Sequence, residues 1–276
     1  MTLNKYYKQN DYAEELLKMR KWKSSIKRDF RLLAKYFRHT KNMDANTIES
    51  KLIKLCESKG KDWFNSVTDS PYIDKAITNA FKDNTEIVQI ESIPIMKAEL
   101  DYINNLELED KPKKILYGIL ALAKLKSKSI QIQNKNDIGM YFGGAGKESY
   151  KSLLEALNDK YTRTFLDKEL HKIIKSFNEL GLTRTTYSAS LEVLFVNDIE
   201  HDGEVTFWIK DFDNLGLYWE YELGNPKVKV CEECNDNLIK VSGRNHIHCK
   251  RCYVELERKR KLRLWHKSIK YKTSGL

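Results

Sequence analysis

Two C-x-x-C pairs stand near the C-terminus, separated by fourteen residues. Their members are Cys231, Cys234, Cys249 and Cys252. Each C-x-x-C loop can present two sulfurs to one metal ion, so the pattern predicts a closed, tetrahedral, structural Zn²⁺ site. Such a site has no open position at which water is activated, and we expect it to hold structure. A redox dithiol is the alternative, and the lack of a thioredoxin-like βαβ pattern disfavours it.

The segments around the cysteines complete a predicted zinc ribbon. A strand at 227–230 leads in, and 238–241 is predicted to form a hairpin with 245–248 through a Ser242-Gly243 turn. His246 and His248 are near enough in sequence to replace a cysteine as ligand. We prefer four cysteines and interpret both histidines as surface residues.

A basic helix is predicted directly after Cys252, with Tyr253 and Trp265 among its cations. Arginine and lysine with interleaved aromatic residues can hold phosphates and stack on bases. The alternative is a solvated helix that docks on the protein through apolar residues such as Leu262. The candidate nucleic-acid contacts here are Arg251, Arg258, Lys259, Arg260, Lys261, Arg263 and Lys267.

The middle of the chain has the predicted order of a winged helix: a helix from Asp110, a short strand at 129–133, further helices, then a hairpin of 191–196 with 204–209. The helix at 166–180 is the candidate recognition helix, with Lys172 and Lys175 on its polar face, and the helix at 147–158 is a rival. Arg184 is expected to meet a phosphate at the start of the wing. The alternative is any mixed domain with surface lysines.

The N-terminal part is predicted to be helical. Apolar residues recur every three or four positions from Met19 to Phe37, a second helix is predicted over 46–58, and Ser70-Pro71 is predicted to start a third. A helix is also predicted to follow Pro94. The fold expected is mainly α with a smaller β part. Its three domains are a helical domain at 1–85, a winged-helix-like domain at 86–226, and a zinc ribbon with a basic helix at 227–276.

Charge is distributed unevenly along the chain, whose net charge is +10. Residues 1–41 carry +8, 186–226 carry −8 and 227–276 carry +9. Clustered cations suit a polyanion, because each neutralised phosphate releases a counterion. No apolar stretch approaches the ~20 residues of a membrane span, and the N-terminus lacks the apolar core of a secretory signal. We therefore expect a cytoplasmic protein with no membrane partner.

Several segments resemble uncharacterised phage and prophage proteins of Gram-positive bacteria. They are KKILYGILALAKL, KIIKSFNELGL, SLEVLFVND, FDNLGLYWEYELGNPKVKVCEEC and the basic tail. The resemblance covers roughly residues 110–265 and is most specific from Asp211 to Cys252. It implies a helix-turn-helix-like region followed by a zinc ribbon and a basic helix. It also implies a phage-borne protein that faces DNA in the cytoplasm of a bacterial host.

The sequence therefore predicts a non-enzymatic nucleic-acid-binding protein, with DNA the expected partner and a role in phage regulation or replication. One alternative is a phage protein-interaction or anti-defence module that binds a host protein complex, with the acidic block at 186–226 mimicking nucleic acid. A second alternative is a metal-dependent nuclease. Its candidate ligands are Asp198, Glu200, His201, Asp202, Asp211 and Asp213.

Overall fold

The computed structural model describes residues 3–82, 85–133, 139–143, 147–187, 189–200, 203–235, 237–241 and 247–273, without the side chains of residues 4, 147, 250, 251 and 267–273. This part of the chain is mainly helical, as predicted, with small antiparallel sheets. The helices are α1 Asn4–Tyr7, α2 Gln9–Lys18, α3 Phe30–His39, α4 Ala45–Lys59, α5 Ser66–Ala80, α6 Lys97–Asn105, α7 Asp110–Ile132, α8 Lys147–Ala156, α9 Leu170–Glu179, α10 Leu215–Glu222 and α11 Lys250–Thr273. The strands are β1 Ile93–Met96, β2 Tyr141–Phe142, β3 Thr183–Thr185, β4 Leu191–Val193, β5 Val205–Ile209, β6 Val228–Val230 and β7 Leu238–Lys240.

Helices α2 to α5 enclose one apolar core built from residues 13–80. The second predicted helix is confirmed as α4, which ends where the Gly60 N–H donates to the Cys56 carbonyl. The single helix predicted from Met19 is wrong: a 3₁₀ turn at Ser24–Asp29 precedes α3. The predicted start at Ser70-Pro71 is also wrong, because the Asn65 side chain caps α5 earlier by accepting from two backbone N–H groups, and Pro71 lies inside the helix.

Helix α7 is the centre of a second, larger core. Its residues from Ile115 to Ala121 are buried around the whole circumference, as expected of a helix that other elements surround. The strand predicted at 129–133 is wrong, because residues 129–132 continue this helix. A short apolar alternation does not distinguish a strand from the end of a helix. The helix predicted after Pro94 begins at Lys97, and Pro94 itself lies in β1.

The sheets differ from the predicted pairing. Strand β4 pairs with β3 and β2 in the order β2-β4-β3, whereas β5 pairs with β1. The predicted hairpin of 191–196 with 204–209 is therefore wrong. The physical reason is a 3₁₀ turn at Phe195–Asn197, in which Phe195 and Val196 turn into the core and separate the two segments. The hairpin that does form joins β3 to β4 directly after α9.

The N-terminal segment joins the two cores. Leu3 is buried in the α7 core, and the Ile90 N–H donates to the Tyr7 carbonyl at 2.7 Å. The Gln9 N–H donates to the Val88 carbonyl at 2.9 Å. The predicted domain limit at residue 85 falls close to the change from one core to the other, but residues 3–10 cross it. None of the helices in the described ranges has the length and apolar character needed to span a membrane.

Candidate metal centre

The four cysteine sulfurs form one cluster in which all lie within 4.8 Å of one another. Cys231, Cys249 and Cys252 are buried, and Cys234 is half-buried. Four sulfurs at ~2.3 Å from a tetrahedral metal lie about 3.8 Å apart, so a small contraction would bring this cluster around one ion. The prediction that both C-x-x-C pairs converge on a possible metal site is confirmed.

The first pair lies in the turn that joins β6 to β7. The Cys231 N–H donates to the Asn237 carbonyl at 2.8 Å, and the Asn235 N–H donates to the Cys231 carbonyl at 2.9 Å. Asn235 has a φ of 52°, a left-handed conformation that asparagine tolerates better than most residues. This tight turn directs both sulfurs of the pair to the same side.

The second pair stands at the start of α11. Cys249 directly precedes the helix and Cys252 lies in its first turn, where the Tyr253 N–H donates to the Cys249 carbonyl at 2.9 Å. The Glu232 N–H donates to the Ile247 carbonyl at 3.1 Å and so connects the two pairs. Strand β7 pairs with β6, and the predicted hairpin of 238–241 with 245–248 passes through residues 242–246. The Ser242-Gly243 turn and His246 lie outside the described residues.

Hydrogen bonds to sulfur stabilise the cluster. The Cys249 N–H donates to the Cys231 sulfur at 3.1 Å. The Asn237 side-chain amide lies 3.5 Å from the Cys249 sulfur and 3.7 Å from that of Cys234. Donors of this kind orient metal ligands and stabilise thiolates. The sequence analysis did not identify Asn237 as a contact of the cysteines. Its position three residues after Cys234 was the only available signal.

The thiol pKa values differ within the cluster. Burial opposes ionisation of Cys231, but backbone N–H donors from Cys249, Cys234 and Glu233 lower its pKa to about 6. Burial and hydrogen bonds with the other cysteines raise the pKa of Cys252 to about 12. Metal ligation requires thiolates, so ion binding at this cluster must release protons. The remaining cysteine, Cys56, is buried in the first core, where burial raises its pKa to about 12.

The metal module packs against α10. The Lys240 amine pairs with the Glu220 carboxylate at 2.8 Å, and the Asn225 side-chain amide donates to the same carboxylate at 3.0 Å. Leu238 packs on the α7 core, and the ring of Trp219 in α10 is tilted by 36° against that of Tyr117 in α7, with 5.3 Å between the ring centroids. The cysteine cluster is therefore connected to the middle of the protein through packed side chains.

Helix α11 extends from this module with its side chains exposed. Tyr253, Leu262 and Trp265 are each 57% exposed, so more than half of each side chain is accessible to solvent. The predicted cations Arg258, Lys259, Lys261 and Arg263 are exposed and have no ion-pair partner among the described residues. Arg260 is exposed and pairs with Glu257 at 3.2 Å. The side chains of Arg251 and Lys267 lie outside the described residues.

Two of the three nucleic-acid contacts predicted in the middle domain form ion pairs within the protein. Lys172 and Lys175 are both exposed on α9, and the Lys175 amine lies 3.4 Å from the Glu179 carboxylate. Arg184 on β3 donates to the Glu192 carboxylate of β4 at 2.6 and 2.9 Å. One edge of its guanidinium is thus paired within the sheet, while the side chain as a whole is 66% exposed.

The acidic candidates that the structure describes do not assemble a second metal site. Asp198 and Glu200 are exposed, and His201 and Asp202 lie outside the described residues. The Asp211 carboxylate accepts from the Asp213 N–H and the Asn214 side chain, which fixes the turn before α10. Among the described residues, the cysteines are the one group of three or more potential ligands close enough to hold an ion.

No known protein family matches the chain, and neither a curated protein nor a solved structure shows significant similarity to it.

Proposed function

We propose that this protein is a non-enzymatic nucleic-acid-binding protein in which a structural Zn²⁺ anchors a basic helix. The observation that carries the proposal is α11, whose exposed cations stand among exposed aromatic side chains at the end of a metal module. Phosphates attract such cations, and aromatic rings add surface on which bases can stack. Four thiolates suit Zn²⁺, which favours closed tetrahedral sites with sulfur ligands.

We further propose that residues 86–226 are winged-helix-like and that 227–252 form a zinc ribbon. The element order α7, β2, α8, α9, β3, β4 and the strand order β2-β4-β3 support the first interpretation. The β6–β7 hairpin around the first cysteine pair supports the second. The resemblance to phage-borne proteins adds the proposal of a role in phage regulation or replication in the cytoplasm of a bacterial host.

The acidic block is less suited to mimic nucleic acid than its charge suggests. Glu192 and Glu220 form ion pairs within the protein, and so does Glu204, which pairs with Lys97 at 3.1 Å. Asp211 accepts hydrogen bonds that fix a turn. These contacts engage four of the nine carboxylates of the block, so its phosphate-like surface is smaller than its charge suggests, which favours nucleic acid over the protein-interaction alternative.

The test measures binding of the full chain to labelled duplex DNA, single-stranded DNA and RNA by fluorescence anisotropy over a range of salt concentrations. The variant R258Q/K259Q/K261Q/R263Q removes four α11 cations. If each contacts a phosphate, the slope of log K against log salt falls by up to about 3.6, at about 0.9 per contact on duplex DNA.

The matched control is K54Q/K61Q/K75Q/K82Q. It removes four exposed lysines from the surface of the N-terminal helical region and lowers the net charge equally. It should keep nearly all of the binding. The proposal is wrong if the wild-type chain binds none of the three nucleic acids at low salt. Equal loss in both variants would show that α11 has no special role.

A further inference from the structure

Helix α11 carries its cations around its whole circumference. Successive residues of an α-helix are turned by about 100°. The cations at positions 258, 259, 260, 261 and 263 therefore leave no gap wider than about 100° around the axis. The apolar residues at the helix surface are also spread: Leu256 and Leu264 line a hollow on one side, and Val254, Leu262 and Trp265 line a hollow on another.

This arrangement does not fit a helix that lies on a surface. A helix that docks in a protein groove has one apolar stripe and an opposite polar face. A helix that lies along the outside of a phosphate backbone needs cations on one side only. Side chains from 253 to 266 are exposed or half-exposed in every direction, so a matching partner surrounds the helix on several sides.

The major groove of duplex DNA has that shape and charge. It is about 12 Å wide and admits a helix whose diameter with side chains is about 10–12 Å. Phosphates line both walls, and base edges that include thymine methyl groups form the floor. The 24 residues of α11 extend about 36 Å, close to one turn of the duplex. The major groove of duplex RNA is too deep and narrow for the same contact.

We propose that α11 binds by entering the major groove of duplex DNA, a proposal that rests on the function proposed above. The metal module holds the first turn through Cys249 and Cys252, and the following turns extend away from it into the groove. Cations on opposite sides of the helix then contact phosphates on both walls, and the apolar side chains of one of the two hollows face the bases.

The experiment compares two duplexes of about 20 base pairs, two helical turns, that have the same sequence. In one duplex every cytosine is replaced by glucosylated 5-hydroxymethylcytosine, which fills the major groove and leaves the phosphates unchanged. We expect the full chain to bind this duplex about ten-fold more weakly or worse. The glucose groups keep α11 out of the groove, so its cations no longer reach the phosphates on the two walls. Saturation of the minor groove with netropsin should change the affinity less than about two-fold, because α11 does not use that groove.

The variant R258Q/K259Q/K261Q/R263Q identifies the helix responsible. The affinity that this variant retains should be the same for both duplexes. If glucosylation weakens the variant as much as the wild type, another element reads the groove and the inference is wrong. Equal wild-type affinity for both duplexes, or displacement by netropsin, also overturns it. Binding to single strands or RNA alone would overturn this inference and leave the proposed function intact, whereas no binding to any nucleic acid would refute both.

Discussion

Replacing Cys249 with serine should unfold the metal module and leave the two apolar cores folded. The substitution removes one of four clustered sulfurs and the backbone geometry that this ligand fixes at the start of α11. Apart from the cysteines, the one fully buried side chain in the module's own cluster is Ile239, among the described residues. Its burial contributes about 1.5–3 kcal/mol, whereas structural zinc contributes about 10–16 kcal/mol in small zinc-finger peptides. Metal binding therefore dominates the stability of this segment.

Elemental analysis and hydrogen exchange together check this expectation. The wild-type chain should contain one zinc per molecule, and Cys249→Ser should contain far less. The amides of Cys231 and Glu232, which are protected by hydrogen bonds across the module, should exchange rapidly in the variant. Amides of α7 should stay protected, since that helix lies at the centre of a separate core.

Cys56→Ala is the matched control, because this thiol lies in the first apolar core and not in the cluster. It should keep one zinc and the protection of the module, even if the small cavity lowers the global stability. A metal-free wild-type chain would refute the reasoning. So would a Cys249→Ser chain that keeps its zinc and its protected amides.

Four further substitutions test the surroundings of the metal ligands, a buried charge and the packing. Asn237→Ala removes the amide beside two sulfurs and should lower zinc affinity about ten- to hundred-fold, as measured by competition with a chromogenic chelator. Burial lowers the pKa of Lys35 from 10.5 to about 8, so Lys35→Met should raise the free energy of unfolding at pH 7 by about 1–3 kcal/mol. Because the charged amine carries this cost, the gain should decline between pH 8 and 10.5, and a gain independent of pH would contradict the assignment. Gly216→Ala should cost about 3 kcal/mol or more in urea unfolding, because its Cβ would lie 2.1 Å from the Leu157 carbonyl oxygen. Gly118→Ala, whose Cβ meets a movable side chain at 2.6 Å, should cost less, and equal losses would refute the packing argument.

The features that could be predicted from the sequence are those that local chemistry determines. The metal cluster follows from four cysteines at fixed spacing, because each C-x-x-C loop brings its own sulfurs together. Helix α4 follows from its apolar spacing and from Gly60 at its end. The long helix α7 follows from the apolar run after Pro112, which occupies the first turn, where proline is tolerated.

The features that could not be predicted depend on the tertiary structure. Local turn preferences predict a hairpin from the two β-rich segments on either side of Asp202-Gly203. In the structure Phe195 turns into the core, and each segment pairs with a different strand. Arg184 has the sequence environment of a phosphate contact, but the β3–β4 register places Glu192 directly opposite. Pairing across a register is set by the fold and is not visible in the spacing of the residues.

The location of charge in the fold matters more than its total. The N-terminal residues 1–41 carry +8, but Lys27 pairs with Asp69 at 2.6 Å and lies over the ring of Trp63, and the Arg38 guanidinium donates to backbone carbonyls. Cations held in this way release few counterions when a polyanion approaches, because their charge is already partly compensated. The α11 cations at 258, 259, 260, 261 and 263 are exposed and, Arg260 apart, have no ion-pair partner among the described residues. Residues 1–41 also have exposed cations without an ion-pair partner among the described residues, namely Arg20, Lys23, Arg28 and Arg31, but these span twelve positions, whereas Arg258, Lys259, Lys261 and Arg263 fall within six positions of one helix. The denser cation cluster available to a phosphate backbone therefore lies beyond the metal centre.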